Sequence, residues 1–232
     1  VYKRQVFHTA RVLQAADAGD AEMARVLRIL TPLIKFRTCR DARKVAGDGM
    51  EVRGGCGYIE EWSDARVLRD AHLGSIWEGT SNIVALDVAR AVRRAGALDA
   101  LRAYVGTLLD DAREAGTDVA KVAACFDRAA DLLDGVANDR AREGDVRAAA
   151  SAVYNATSAA IMVWEDAKLS GDAGYSGDRK RLADAVIAHK LTAHDPLAAP
   201  AAGSSEDDAA IAALLNRALV SDVTTQTQIA AQ

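Results

Sequence analysis

The 232-residue chain is poor in proline, cysteine and aromatic residues, with 3 prolines, 3 cysteines and 5% aromatic residues. Three scattered cysteines without a CxxC pair argue against a disulfide framework and against a zinc or other metal site. The shortage of proline and the abundance of alanine favour helices over strands. No apolar run approaches the roughly 20 residues that a bilayer requires, so we expect a cytoplasmic protein without a membrane span.

The beginning of the chain and its charge distribution bound the possible functions. The first residue is a valine, and "VYKRQ" lacks the apolar stretch of a signal peptide, so a fragment of a longer protein is expected. Residues 1–98 contain 16 Lys and Arg against 12 Asp and Glu, whereas residues 99–232 contain 13 against 21. An acidic second half is unsuited to general nucleic-acid binding, because phosphate contacts require a clustered positive surface.

Apolar residues recur at helical spacing through the first half of the chain. Gly19 and Asp20 interrupt the first helical pattern, and Thr31-Pro32 is typical of an N-cap followed by a first-turn proline. The glycine-rich "GGCGY" indicates where the next helix ends, because glycine suits the left-handed residue after a helix. The predicted helices of this half span residues 5–30, 32–53, 64–70 and 81–94.

The second half is helical by the same criterion, and no alternation typical of strands persists anywhere. The fold prediction is therefore all-α, an antiparallel helical bundle with an extra helical tail. We predict a first domain over residues 1–97 and a helical extension over residues 98–232, with a loose linker near 193–208. The predicted helices of the extension lie near residues 119–136, 146–164, 182–189 and 211–215.

The stretch "SIWEGTSNIVALDVARAV" places Glu78 between Trp77 and Gly79, directly before an amphipathic helix. An indole ring lowers the local polarity and makes a neighbouring carboxylate a stronger base. Gly79 permits close approach by a flat ligand, and Thr80 or Ser81 caps a helix whose free N–H groups form an anion site. The pattern indicates a base beside a phosphate-bearing cofactor. The alternative is an ordinary acidic residue favoured by the helix dipole.

Three blocks occur in a fixed order: "GGCGY" at 54–58, "RDA" at 69–71 and "WEGTSNI" at 77–83. With the upstream helix "LTPLIKFRTCRDARKVAGDG", they resemble the C-terminal helical domain of the acyl-CoA dehydrogenase family over roughly residues 20–95. The resemblance implies an FAD-dependent oxidoreductase of fatty acid metabolism.

The resemblance also implies a role for each residue around Glu78. Glu78 matches the base that removes the α-proton of an acyl-CoA thioester while the β-hydrogen leaves as hydride to N5 of FAD. Its backbone N–H helps to hold the thioester carbonyl group, where negative charge develops. Trp77 and Gly79 match residues that line the substrate site. The acyl chain length and the electron acceptor are left open.

Cofactor contacts are implied at two places in the chain. Thr80 and Asn82 match residues that touch FAD at a helix start, and a second segment matches one that approaches the FAD of a neighbouring subunit. A cofactor shared in this way implies a homo-oligomer, either a dimer or a tetramer. The residues of the second segment are Glu51, Val52, Gly54 and Gly55.

Some residues depart from the common family pattern. Glu51 replaces a frequent glutamine and Asn82 replaces a frequent glutamine or glutamate, while Trp77 and the helical tail are most similar to the branch of alkylation-response flavoproteins. Some members of that branch bind DNA. Two alternatives to a dehydrogenase therefore stay open: a DNA-binding, protective flavoprotein, and a helical fragment without catalytic activity.

Other candidate residues have a structural interpretation as well as a functional one. We interpret His72 as a surface histidine and Cys56 as a small packed residue, because no basic group except Arg53 adjoins that thiol. The basic segments 37–44 and 90–94 are interpreted as solvated helix faces. Their alternative is contact with the phosphates of CoA or of DNA.

Overall fold

The computed structural model describes residues 2–172, 175 and 177–193 and the isolated positions 197, 209 and 212, with side chains from residue 5 onward. Val1–Leu191 form one compact unit, and Thr192–Gln232 form another. Nearly all of the predicted helix at 211–215 and nearly all of the predicted linker lie outside the described residues. The candidate site residues all belong to the first unit.

The described part of the first unit consists of helices joined by short connections and contains no strand, which confirms the all-α prediction. Its α-helices are α1 (Tyr2–Asp17), α2 (Ala21–Val52), α3 (Gly55–Tyr58), α4 (Asp64–Leu73), α5 (Ser81–Ala95), α6 (Ala97–Glu114), α7 (Ala120–Asn138), α8 (Val146–Leu169) and α9 (Asp178–Val186). A 3₁₀ segment, Arg140–Asp145, precedes α8, and a π-helical segment, Ile187–Leu191, follows α9.

Helix α2 begins at the predicted interruption. The Asp20 carboxylate accepts hydrogen bonds from the backbone N–H groups of Glu22 and Met23, which would otherwise lack partners in the first turn. The prediction of a new helix starting at Pro32 is wrong, because α2 passes through Pro32 without a break. A buried stripe continues on both sides of the proline and offsets the roughly 3 kcal/mol that an internal proline costs. The stripe consists of Val26, Ile29, Leu30, Leu33 and Phe36.

One hydrophobic core joins the two halves of the chain. It takes buried side chains from α1, α2 and α5 in the first half and from α6, α7, α8 and α9 in the second. Gly96, at φ 56°, separates α5 from α6 near the predicted domain boundary. Ala97 and Leu98 lie in this common core. The domain boundary at residues 97/98 stays a prediction. Helix α6 itself has no counterpart among the predicted helices.

Exposed large apolar side chains are concentrated in the first half of the chain. Among the described residues, all but Leu132 and Leu197 lie between positions 6 and 83. A surface of this kind is typical of a region that contacts another domain or subunit. No helix among the described residues is long and apolar enough to span a membrane. The most exposed members in this part of the chain are Phe7, Val45, Val52, Tyr58, Ile76, Ile83 and Trp77.

Candidate functional site

Residues 74–80, here named the connector, link α4 to α5 and contain the candidate base. Lys35, in the middle of α2, holds this segment: its Nζ donates to the carbonyl oxygen of Gly74 at 2.8 Å and to that of Trp77 at 3.2 Å. The Ser75 hydroxyl donates to the carbonyl oxygen of His72 at 3.0 Å and stabilises the turn that leaves α4. The connector is therefore attached to α2 just before Glu78.

The backbone at Glu78 is strained. Glu78 has φ 55°, and among the described residues it is the one residue other than glycine with a positive φ. An L-residue in this left-handed region costs about 1 kcal/mol or more, and such strain is found preferentially at functional sites. Gly79 follows at φ 104°. A Cβ atom at this position would lie 3.4 Å from side-chain atoms of Ile83 and Val84. Two consecutive positive φ values thus set the direction of the Glu78 side chain.

Glu78 is exposed and borders a cleft between α2 and α5. The cleft has a volume of about 530 Å³, and the part contributed by Leu27, Pro32 and Val84 is apolar. A cleft of this size falls within the range of small-molecule sites. An apolar floor with a carboxylate at the edge can hold a hydrocarbon chain beside a base.

An ion-pair group occupies the side of the cleft away from the connector. Arg28 donates two hydrogen bonds to Asp87, at 3.0 and 2.9 Å, and Arg90 donates a third at 2.7 Å. These bonds, that from Arg28 first, lower the pKa of the Asp87 carboxyl group. Asp87 therefore remains ionised and hydrogen-bonded, which favours a structural role rather than proton transfer.

Trp77 is 57% exposed. The ammonium group of Lys35 lies 5.6 Å from the centroid of its ring, a distance at which a cation is attracted to the aromatic face. At this exposure the indole ring is not enclosed by the described residues. The acyl cavity predicted for Trp77 stays a prediction.

The start of α5 presents uncapped backbone N–H groups. Thr80 stands at the N-cap position, with an extended ψ of 166°, but its side chain accepts no hydrogen bond from the helix. The predicted capping position is thus confirmed, whereas the predicted capping hydrogen bond is absent there. Thr80 and Asn82 are exposed. Donors at a helix start that lack side-chain caps are suited to an anionic group.

The second predicted cofactor segment lies far from the first along α2. Glu51, Val52, Gly54 and Gly55 are exposed, and Gly54 has the left-handed φ of 59° predicted for the end of the helix. Ser81 borders Cys39 on α2, and from Cys39 to Glu51 the helix rises about 18 Å. The structure therefore does not bring the two predicted cofactor segments into one pocket.

Gly57, next to this segment, is required by packing. A Cβ atom at this position would lie 2.2 Å from the carbonyl oxygen of Met50, a distance that no side chain can occupy. The glycine-rich block thus allows the chain after α2 to return against the last turn of that helix. Cys56, predicted to be packed, is exposed instead, so that interpretation is wrong.

Several residues near the site carry no sequence signal of their own. Lys35 lies in the middle of a helix, and Arg28 is 59 positions from its partner Asp87.

His72 is exposed, as predicted. Arg69 forms an ion pair, but with Glu60 at 2.7 Å rather than with its neighbour Asp70. Within the described residues, no group of three or more His, Cys, Asp and Glu could hold a metal ion.

Comparison with known proteins finds a family match in the part of the chain that contains the candidate site. Residues 7–93 match the family model described as "Acyl-CoA dehydrogenase, C-terminal domain". The match includes the connector, the glycine-rich block and the whole of α2. It ends inside α5, before the helices of the predicted extension.

Two curated relatives match over about the same region. "Acyl-CoA dehydrogenase family member 11" of Caenorhabditis elegans is 41% identical over 88 residues, which are 37% of this chain and 14% of that protein. "Putative acyl-CoA dehydrogenase AidB" of Escherichia coli strain K12 is 41% identical over 93 residues, 39% of this chain and 17% of that protein. The matched segment thus spans less than a fifth of either relative.

One solved structure extends the likeness in fold. The C. elegans ACDH-11 structure, described as a complex with C11-CoA, has a TM-score of 0.70 and 24% sequence identity, covering 84% of this chain and 34% of that chain. At this identity the likeness concerns the fold alone. It includes more of the chain than residues 7–93, so part of the helical extension shares the fold as well.

Proposed function

Because residues 7–93 belong to the acyl-CoA dehydrogenase C-terminal domain family, we propose that the chain is the C-terminal part of an FAD-dependent acyl-CoA dehydrogenase-like oxidoreductase. In this proposal Glu78 is the base for α,β-dehydrogenation of an acyl-CoA thioester. The single observation that carries the proposal is the position of Glu78, strained at φ 55° and bordering a partly apolar cleft. Strain at one residue of a ligand-sized cleft is a reason to assign function there.

Glu78 removes the proton from the carbon next to the thioester carbonyl group. Its own backbone N–H donates to that carbonyl oxygen as negative charge develops. Bound FAD supplies the acceptor for the hydride that leaves the β-carbon. Attachment of the connector to Lys35 keeps the carboxylate in place while the proton moves. The cleft holds the acyl chain, and Trp77 and Gly79, on either side of Glu78 in the connector, stand beside the reacting carbons.

The residues proposed to hold FAD fit a flat, phosphate-bearing ligand. Thr80 and Asn82 stand beside uncapped N–H groups, and Gly79 before them carries no side chain. The segment with Glu51, Val52, Gly54 and Gly55 approaches the FAD of a second subunit in this proposal. A separation of about 18 Å along α2 supports contact of the two segments with two separate FAD molecules. The active protein is then a homo-oligomer, a dimer or a tetramer.

A second candidate is that these 232 residues by themselves are not catalytic. The exposure of Trp77 and Ile76 favours it, because apolar side chains beside the candidate base have no covering surface among the described residues. We therefore expect the isolated chain neither to retain FAD tightly nor to turn over acyl-CoA. Recovery of the purified chain with stoichiometric yellow flavin would contradict this expectation.

The test of Glu78 uses the longest reading frame that contains this chain. Glu78→Gln keeps the shape of the side chain and removes its basicity, so reduction of bound flavin by acyl-CoA esters, followed anaerobically, should fall by about 10³-fold or more. Glu114→Gln, at an exposed position at the end of α6, is the matched control and should leave the rate unchanged. Undiminished flavin bleaching in Glu78→Gln would remove Glu78 from the mechanism.

The DNA-binding alternative is tested with the same protein. Its binding to duplex DNA should weaken steeply with salt if phosphates are neutralised by basic side chains. Absence of binding at low salt, together with flavin reduction by acyl-CoA, would leave the dehydrogenase as the sole proposal.

A further inference from the structure

Four arginines meet where α2 packs against α8. Arg37, Arg40 and Arg43 follow one another at intervals of three on α2, and Arg147 lies in the first turn of α8. We name this set the arginine cluster. Three of the four, those on α2, are half-buried, so this face is not the fully solvated one that the basic segment 37–44 predicts.

The arginines are close enough to affect one another. Burial, and after it the charges of Arg147, Arg43 and Arg37, lower the pKa of the Arg40 guanidinium. Arg40 nevertheless stays protonated, since a guanidinium is not deprotonated in proteins. Several positive charges are therefore held together in a partly dehydrated place. Such an arrangement is unfavourable unless negative charge balances it.

The described residues supply little negative charge to balance these arginines. Asp41 accepts a hydrogen bond from Arg37 Nη2, and Arg37 Nη1 also donates weakly to the Ser151 hydroxyl at 3.4 Å. Among the described residues, Arg40, Arg43 and Arg147 form no ion pair with a carboxylate. One carboxylate thus stands against four guanidinium groups.

Two buried donors in the cluster also lack acceptors. The Nε atoms of Arg37 and Arg43 are inaccessible to solvent and have no hydrogen-bond partner within the described part of the chain. A buried donor without an acceptor costs about as much as a lost hydrogen bond. Asp41 is not the acceptor for either Nε atom, because its hydrogen bond comes from the Nη2 atom of Arg37.

A recess lies beside Arg147. It has a volume of about 310 Å³ and is bordered by Asn82 and Leu86 of α5 and by Glu143, Gly144 and Val146 before and at the start of α8. Glu143 is exposed, so water screens its charge. This volume is at the lower end for ligand sites and suits a small polar group rather than a whole dinucleotide. The uncapped N–H groups at the start of α5 lie at the Asn82 side.

We propose that the arginine cluster, together with the recess that its member Arg147 borders, binds a phosphate or pyrophosphate group of a small molecule. Guanidinium forks match phosphate oxygens with paired hydrogen bonds, and an anion here balances the excess positive charge. Two walls of the recess, the start of α8 and the 3₁₀ segment, lie outside the segment that matches the family model, which ends at residue 93. The site does not depend on Glu78 or on any step of the proposed reaction.

The test is titration of the 232-residue chain with inorganic pyrophosphate at constant ionic strength, followed by calorimetry. Saturable binding is expected, weakened by about tenfold or more in Arg40→Ala and in Arg147→Ala, since each removes charge-assisted hydrogen bonds. Arg94→Ala makes the same change in net charge at an exposed position and should bind as the unchanged protein does. Absence of saturable binding, or an equal loss in Arg94→Ala, would overturn the proposal.

Thermal unfolding separates a binding role from a structural one. Without pyrophosphate, Arg40→Ala should unfold at the same or a higher temperature, because like charges no longer repel. With pyrophosphate, the unchanged protein should gain stability and Arg40→Ala should gain clearly less. A variant that unfolds earlier without pyrophosphate and gains as much stability with it as the unchanged protein would show that Arg40 is structural.

Three further ligands identify the source of the phosphate. Tighter binding of CoA than of dephospho-CoA points to the 3′-phosphate of CoA, and tighter binding of FAD than of riboflavin points to the flavin pyrophosphate. Either result supports the site even if Glu78→Gln leaves flavin reduction unchanged. Binding of duplex DNA without binding of pyrophosphate, CoA or FAD would overturn the proposal in favour of a nucleic-acid surface.

Discussion

Lys35 Nζ donates a 2.8 Å hydrogen bond to the carbonyl oxygen of Gly74, and so joins the middle of α2 to the connector that carries Glu78. The same ammonium group donates to the carbonyl oxygen of Trp77 at 3.2 Å. One side chain thus satisfies two carbonyl groups in an irregular segment that has few backbone partners of its own. The geometry of the candidate base is therefore determined by a residue more than 40 positions earlier in the chain.

Replacing Lys35 with methionine should loosen the connector. Methionine keeps much of the apolar stem but cannot donate, so both carbonyl groups lose a charged donor and the free energy of unfolding should fall by about 1–2 kcal/mol. Amide hydrogen exchange in residues 75–80 should become faster, while α7 should be unaffected. Lys121→Met, at an exposed position in α7, is the control. Unchanged exchange in the connector would show that Lys35 does not hold it.

Replacing Glu78 with glycine should separate stability from function. Glycine adopts positive φ without steric cost, so the free energy of unfolding should stay the same or rise by up to about 1 kcal/mol. If the proposed mechanism holds, flavin reduction by the product of the longest reading frame that contains this chain should be lost, because the proposed base is removed. Urea unfolding and single-turnover bleaching measure the two effects. A clear loss of stability would mean that the Glu78 side chain contributes to folding.

The neighbouring change, Gly79→Ala, should act in the opposite direction on stability. Gly79 has φ 104°, and the new Cβ would meet Ile83 and Val84 at 3.4 Å. We expect a loss of about 1–2 kcal/mol in the free energy of unfolding, from backbone strain with little room for relief. Circular dichroism during urea unfolding measures this loss. Equal stability of the alanine variant and the unchanged protein would contradict the strained geometry.

Gly57→Ala should be strongly destabilising. The new Cβ would lie 2.2 Å from the Met50 carbonyl oxygen, so the end of α2 and the following turn must move apart. A loss of about 2 kcal/mol or more is expected in urea unfolding. Gly49→Ala is the matched control, because nothing lies within 4 Å of its Cβ position in α2. That variant should gain about 0.5–1 kcal/mol from higher helix propensity.

Protonation of His8 should destabilise the fold in acid. Burial first, and then the charge of Arg11, lowers the pKa of His8 from 6.5 to about 4. Between these values the unfolded chain binds a proton that the folded chain does not, so the stability present above pH 6.5 falls as the pH drops toward 4. A difference of this size corresponds to a loss of about 3 kcal/mol.

The measurement is the free energy of unfolding as a function of pH. His8→Gln should flatten the slope between pH 6.5 and 4, although it also disturbs the 2.7 Å hydrogen bond to Tyr104. His72→Gln, at an exposed position, should leave the slope unchanged. Identical slopes in His8→Gln and the unchanged protein would contradict a depressed pKa at His8.

Local signals in the sequence predicted several features of the fold. The interruption at Asp20 and the end of α2 at Gly54 are confirmed, because a capping carboxylate and a left-handed glycine act within a few residues of their own position. The interpretation of Pro32 was wrong for the complementary reason. A proline after threonine is compatible with a helix start and with a helix interior, and buried neighbours on both sides decided between them.

The site was predictable only in part. Consecutive residues such as Trp77, Glu78 and Gly79 form a recognisable pattern, so the position of the connector before α5 could be predicted from the chain. Their roles in catalysis stay predictions. Lys35 and the pair of Arg28 with Asp87 could not be found in this way, since their contacts join residues 39 to 59 positions apart. Arg147 reaches the arginine cluster through the packing of α8 on α2.

By itself the sequence determined that the protein is helical, where most of its helices begin and end, and that residues 7–93 match the family model described as "Acyl-CoA dehydrogenase, C-terminal domain". These properties depend on propensity, periodicity and short motifs, which act locally along the chain. Tertiary structure alone decided that both halves share one core, that Glu78 is held in a strained backbone at a cleft, and that four arginines meet between α2 and α8. Such features arise when distant side chains compete for the same buried space, which no local pattern specifies.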